Sequence, residues 1–159
     1  MDMFRLNHEQ LLKGVNLSFQ RYLSRQVKWD RRLIGLFGAK GVGKTTLLLQ
    51  HIKSTYGDSH EALYLPLDNI WFQKRHMLSE TVRRFHEKGG RHLFLDNVHR
   101  YGNWIQAIER LHDDYPDMQI VFAAPSLVEG EKMEPSLGGK GDWYTLHTMS
   151  FREYLSYEG

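Results

Sequence analysis

The sequence predicts an α/β fold, a mainly parallel five-stranded sheet with helices packed on both faces, and three observations carry that prediction. Four short runs, RLIGLF at 32–37, ALYLPL at 62–67, HLFL at 92–95 and QIVFA at 119–123, are apolar without polar alternation, as strands buried on both faces require. Between them, apolar residues recur at three- and four-residue steps, the period of a helix with one buried side. Strands and helices that alternate in this way pair in parallel through crossover helices. Composition agrees: 41% of the 159 residues are hydrophobic and 13% aromatic, ample for a core, so disorder and collagen-like repeats are excluded. The absence of cysteine excludes disulfide frameworks, thiolate nucleophiles, cysteine-type zinc sites and iron–sulfur clusters. A formal charge of +2 argues neither for nor against nucleic acid, although nine histidines add positive charge at acid pH. No apolar run is long enough for a membrane span and residues 1–10 lack a signal-peptide core, so the cytoplasm is the expected location.

Element by element, Leu11, Leu12, Val15, Phe19, Tyr22, Leu23 and Val27 predict an amphipathic helix over 8–27, within an N-terminal segment 1–30 that precedes a core of 31–150. The first strand, 32–37, ends in glycine, and 45–56 reads as a helix closed by Gly57. After the second strand, Met77, Leu78, Thr81, Val82 and Phe85 mark a helix that stops at Gly89 and Gly90. The third strand follows, then Asn103 and Gln106 are spaced as a capping box for a helix that buries Trp104, Ile105, Ile108 and Leu111 before Pro116. Beyond the fourth strand, VEGEKMEPSLGGKGD at 128–142 reads as a loop and WYTLHT at 143–148 as the fifth strand. Ser150 and Glu153 form a second capping box, so a helix starts at Phe151. It has room for only about two turns before Gly159, which suggests that 151–159 begins a helix interrupted by the chain end.

Residues 38–45, Gly38, Ala39, Lys40, Gly41, Val42, Gly43, Lys44 and Thr45, match the phosphate-binding pattern G-x-x-x-x-G-K-[ST]. The motif follows a buried strand and opens a helix, the context its chemistry demands. Glycines let the backbone curl until successive N–H groups face a phosphate chain, with the positive end of the helix dipole behind them. Lys44 is placed for the β and γ phosphates, Thr45 for Mg²⁺ and Thr46 for the α phosphate. The metal needs a carboxylate at a neighbouring strand end, and Asp96, closing HLFL, fits. A carboxylate on the third strand supports a sheet in which another strand separates the first from the second, a three-layer P-loop NTPase sandwich of strand order 5-1-4-3-2. A nucleoside triphosphate with Mg²⁺ is the expected ligand.

The chain resembles a bacterial and archaeal group of P-loop ATPases, the AAA-like ATP-binding domains that carry an uncharacterised C-terminal region. The resemblance spans about 33–155 and rests on GAKGVGKTT at 38–46, LDNVH at 95–99, AAPS at 123–126, SLGGK at 136–140 and MSFREYL at 149–155, where the family shows GxRxVGKTT, LDEIQ, TGSS, SLAGR and LSFREF. It implies an ATP hydrolase with Lys44, Asp96, Asn97 and Ser126 around the reacting phosphate. The family's glutamate, which prepares the attacking water, is here Asn97, whose amide takes up no proton, so slow turnover is expected. A nucleotide-responsive switch without turnover is the alternative. Ser126 alone keeps a polar group on the fourth strand, and Lys140 stands in the place of an arginine. The resemblance further implies a partner region C-terminal to this chain and leaves open a homo-oligomer that supplies an arginine finger across subunits.

His99 replaces a glutamine and reads more simply as a solvated loop residue than as a substitute base. Asp68, ending LPLD, is where a small-molecule P-loop kinase holds its base, although no arginine-rich lid segment follows. Guanine-reading N-K-x-D and zinc-type H-E-x-x-H patterns are both missing. Arg21, Arg25, Lys28 and Arg32 would share a face if the first helix persisted, a surface for DNA or an acidic partner, though such rows are usually solvated. Trp71, Phe72, Trp104 and Trp143 are expected to pack in the core or against another domain.

Overall fold

The structure is a computed structural model that describes residues 2–74, 76–125, 137 and 139–158. Its sheet comprises β1 (Leu33–Phe37), β2 (Ala62–Pro66), β3 (His92–Asp96), β4 (Gln119–Ala124) and β5 (Asp142–Thr145), paired in parallel in the order β2-β3-β4-β1-β5. Read from the other edge this is 5-1-4-3-2, the expected order. The helices are α1 (Asp2–Lys13), α2 (Leu23–Gln26), α3 (Lys44–Thr55), α4 (Met77–Glu87), α5 (Trp104–Asp114) and α6 (Phe151–Glu158), with 3₁₀ turns at Ile70–Gln73 and Val98–Arg100.

Strand alternation sorts the apolar runs into two cores. Leu33 and Phe37 of β1 join Leu63, Leu65, Leu93, Leu95, Ile120 and Phe122 under α4 and α5. Ile34 and Leu36 point the other way, with Tyr64, Phe94 and Val121, against Leu47, Leu48 and Ile52 of α3. Every β1 residue is buried, hence the absence of polar alternation. Gly35 sits where a Cβ would lie 2.7 Å from both Phe122 and Trp143, so only glycine lets those rings of β4 and β5 meet across β1. Phe72 and Trp104 are buried, and Trp71 and Trp143 pack on the same core, as expected of them.

The N-terminal segment departs from the expected single helix. Helix α1 stops before Gly14, and the chain then runs irregularly to the one-turn α2. The physical reason is competition for backbone groups. The Asn16 side chain accepts from Ser18 N, Gln50 Nε2 donates to the carbonyls of Asn16 and Phe19 at 2.9 and 2.7 Å, and Lys53 Nζ reaches Val15 O at 2.6 Å. These bonds hold the segment open against α3. The single basic face of Arg21, Arg25, Lys28 and Arg32 therefore never forms, and with it goes the support for a DNA-binding helix: Arg21 is buried, and Arg32 is bound to the carbonyls of His112 and Tyr115.

Helix α1 instead covers the edge strand β2. Arg5 donates to Ala62 O and His60 O, and His8 Nδ1 accepts from Tyr64 N at 3.0 Å, so the exposed rim of the sheet is closed by side chains. The Asn103 capping box does not form, because Asn103 takes a left-handed backbone (φ 56°) and its side chain makes no cap bond. The Ser150–Glu153 box does: Ser150 N donates to Glu153 Oε1 and Glu153 N to Ser150 Oγ.

Burial lowers the pKa of both His8 and His51 to about 4, aided at His8 by Arg5 and His60 and at His51 by His92. A neutral His8 is also what the Tyr64 bond requires, since a protonated Nδ1 has no lone pair to offer. In the unfolded chain both groups take up protons near pH 6.5, above their folded values, so the unfolded state binds more protons throughout the window from 6.5 to 4. Stability is accordingly expected to fall as pH drops through that window and to level off below it. Chemical denaturation midpoints at pH 7, 5.5 and 4.5 check this, and replacing His8 by glutamine flattens the slope.

Candidate functional site

The loop after β1 is built by three glycines with two different jobs. Gly41 (φ 87°) and Gly43 (φ 106°) take left-handed conformations that other residues resist. Gly38 is instead required by proximity: a Cβ there would stand 2.4 Å from the Leu146 carbonyl, because the chain leaving β5 crosses the loop's start and donates Leu146 N to Phe37 O. Gly43 caps α3 without any side-chain bond, and no acidic residue occupies the first turn. The first N–H groups of α3 thus remain unsatisfied by side chains at the positive end of the helix, a ready anion seat.

Lys44 folds back over the loop and donates to the carbonyls of Gly38 and Ala39. Burial lowers its pKa while Asp96 pulls the other way. Asp96 ends β3 and is 1% exposed. Its Oδ2 accepts from Thr45 Oγ1 at 2.5 Å and from Tyr64 OH at 2.6 Å, and its Oδ1 from Asn97 N at 3.0 Å. Burial, then the Asp96 charge and hydrogen bond, raise the Tyr64 pKa, so this phenol stays a donor. Tyr64 was not singled out in the sequence; its only signal is one hydroxyl-bearing residue inside an apolar strand next to β3.

Lys40, Gly41, Gly43, Lys44, Thr45, Thr46, Asp96 and Asn97 line one cavity of about 430 Å³, joined by Asp68, His99, Arg100 and Pro125. Gly38, Ala39 and Val42 shape the loop without facing the cavity. The kinase-type carboxylate Asp68 and the histidine weighed as a substitute base therefore both stand on its wall, and Arg100 is a cation the sequence reading missed. Ser126 lies outside the described residues. Lys140 does not belong to the site: it precedes Asp142, which pairs with Ile34 near the start of β1, whereas the phosphate loop follows the other end of that strand. It faces Asp113 at 3.8 Å instead. Asn97 has a left-handed backbone (φ 53°, ψ 43°), a conformation asparagine tolerates better than glutamate.

A hydroxyl and a buried carboxylate side by side are hard oxygen donors of the kind magnesium takes. Among the described residues no group of three or more histidine, cysteine, aspartate or glutamate side chains is placed to hold a metal ion. Thr46 also borders a second cavity of about 690 Å³, between the irregular N-terminal segment and α3, lined by Gly14, Val15, Asn16, Ser18, Phe19, Leu49, Gln50, Tyr157 and Glu158. The Phe19 and Tyr157 rings meet edge to face in its wall, 5.6 Å apart.

Residues 30–155 match a family model described as AAA domain. Three solved structures share the fold at low identity. A structure titled DNA replication initiation factor matches at 15% identity and TM-score 0.59, covering 93% of this chain and 47% of that one. AMPPCP-bound DnaA from Aquifex aeolicus matches at 14% and 0.57, covering 93% and 48%, and PCH-2 from C. elegans at 16% and 0.51, covering 91% and 40%. The chain thus spans less than half the length of each. No curated protein matches it.

Proposed function

The chain belongs to the AAA domain family, and from that premise we propose that it binds Mg²⁺–ATP through the loop 38–46 and hydrolyses it slowly to ADP and phosphate. The observation that supports this most directly is the convergence of Lys44, Thr45 and Asp96 at the mouth of an open helix N-terminus. Lys44 neutralises the terminal phosphates from a partly buried position, where its charge acts through less water. Tyr64 and the Asn97 amide hold the Asp96 carboxylate in place, so that it and Thr45 can take the metal, which when bound neutralises charge on the phosphate oxygens. Asn97 orients a water by hydrogen bonding but takes no proton from it, which makes the step slow.

The base fits the cavity beyond Thr46, where Phe19 and Tyr157 offer ring surfaces. Base–aromatic stacking is worth about 1–3 kcal/mol, so Phe19→Ala should weaken ATP binding by roughly 5- to 150-fold while leaving inorganic triphosphate binding unchanged. Calorimetric titration of both ligands checks this. Equal affinity of the wild type and Phe19→Ala for ATP would move the base elsewhere. Asp68 favours a second reading, phosphoryl transfer to a small hydroxyl acceptor, which predicts acceptor-dependent ADP release instead of phosphate release. Location in the cytoplasm, assembly with further copies and coupling to a C-terminal region belong to the same proposal. Among the described residues no helix is long and apolar enough to cross a membrane.

A further inference from the structure

Helix α6 is attached to the rest of the molecule in an unusual way. Its apolar residues Phe151, Tyr154, Leu155 and Tyr157 are 48–75% exposed, and its one buried residue is a carboxylate, Glu153. That carboxylate is held by Arg21, itself 8% exposed, whose Nε donates to Glu153 Oε2 at 2.7 Å. The same guanidinium donates Nη1 to Val42 O, inside the phosphate loop, at 2.8 Å, and Nη2 to His147 O, in the segment entering α6, at 2.6 Å. Tyr22 N and Ser150 N complete the carboxylate's shell. One planar fork therefore joins three pieces of chain that are far apart in sequence: the N-terminal segment, the phosphate loop and α6.

A buried ion pair is a poor way to gain stability, because desolvating both charges offsets most of their attraction. It is a good way to fix direction, since the guanidinium geometry allows its three bonds only when loop, entry segment and helix are all in register. A helix docked by one buried ion pair and one ring contact, Tyr157 on Phe19, with its other apolar side chains exposed, also belongs to the low-stability part of a fold, the part that moves when a site fills. Binding anions through the N–H groups of 41–46 requires the carbonyls to point the opposite way, and Arg21 holds the Val42 carbonyl on that outer side.

We infer that Arg21 and Glu153 form a brace through which the phosphate loop and α6 set one another's position: the docked helix keeps the loop in its binding shape, and a filled loop tightens the helix. The ligand in this inference rests on the proposed ATP binding, but the brace itself is testable without nucleotide. Coupling of this kind is reciprocal by linkage.

The test is hydrogen exchange on the nucleotide-free chain, with ATP titration alongside, for the wild type, Arg21→Lys and the double variant Arg21→Met/Glu153→Leu. The apolar pair leaves no charge buried alone and should stay folded, with a melting temperature lowered by the loss of the bonds to Val42 O, His147 O, Tyr22 N and Ser150 N. The hydrogen-bonded loop amides of Val42 and Leu47 and the amides of α6 should nevertheless exchange faster together, and ATP affinity should fall about tenfold. Arg21→Lys retains the ion pair but cannot reach three acceptors in one plane, so α6 should stay protected while the loop exchanges faster. The inference is overturned if the double variant frees α6 and leaves loop exchange unchanged, whatever happens to ATP affinity, which loss of Tyr157 from the base cavity would lower by itself, or if Arg21→Lys leaves the loop as in the wild type. If the wild type binds no ATP while the exchange pattern appears as described, the brace stands and the nucleotide reading fails.

Discussion

Replacing Lys44 by alanine should abolish the thermal stabilisation that ATP confers on the wild type. Ligand at 100 times its dissociation constant adds about 2.7 kcal/mol to folding stability, a shift of several degrees in a chain of this size. In the proposed complex Lys44 meets the terminal phosphates, and charge-assisted hydrogen bonds are worth about 1.5–3 kcal/mol each, so losing two of them weakens ATP by roughly a hundredfold or more. The apo protein should change much less. In the free state Lys44 only returns to the Gly38 and Ala39 carbonyls, and burial already opposes its charge. Differential scanning fluorimetry of both proteins with and without Mg²⁺–ATP reads the difference. Identical ATP-dependent shifts in the two would remove the ligand from this loop.

The parts of the site that could be read from the sequence are those whose chemistry is local. The loop 38–46 carries its own backbone requirements, and Asp96 announces itself by closing an apolar run, so both were legible and the sheet order followed from them. What stayed hidden depends on elements that meet only in three dimensions. Tyr64 looks like any strand residue until β2 is laid beside β3. Arg21 looked like one of a row of surface cations, and only the failure of the first helix at Gly14 turns it inward. That failure was itself illegible, because the bonds that cause it come from Gln50 and Lys53, more than thirty residues away in α3. Lys140 was misplaced for the opposite reason: a motif in the right order along the chain fell at the wrong end of a parallel strand.

The capping box at Ser150 and the one at Asn103 make the same point. Both satisfy the spacing rule, and only the first forms. At Asn103 the backbone arrives left-handed from the turn that follows the Val98–Arg100 segment, which overrides the local signal. At Ser150 a second partner, Arg21, fixes Glu153 and lets the box close. Burial raises the Glu153 pKa, but the Arg21 bond and the Tyr22 and Ser150 amides outweigh it and hold the carboxyl at about 2, so this junction keeps its charge at any ordinary pH.

Asn97→Glu has the other large expected effect, and here two physical terms oppose one another. A carboxylate at this position supplies the proton acceptor the amide lacks, and general base catalysis contributes about 10²–10⁴-fold to such steps. The backbone at 97 is left-handed, however, and holding a glutamate there costs on the order of 1 kcal/mol, which should appear as a lower melting temperature. The catalytic term is the larger, so phosphate release under saturating Mg²⁺–ATP should rise at least about a hundredfold despite the weaker fold. Asn97→Asp separates the two terms: aspartate tolerates the left-handed backbone but is one methylene shorter, so it should keep the wild-type melting temperature and gain less turnover. If both variants bind ATP as the wild type does and neither releases phosphate faster, a missing base is not what limits the site. The intact loop would then serve occupancy alone, and the chain would act as a nucleotide-responsive switch whose output passes through whatever the loop is mechanically tied to.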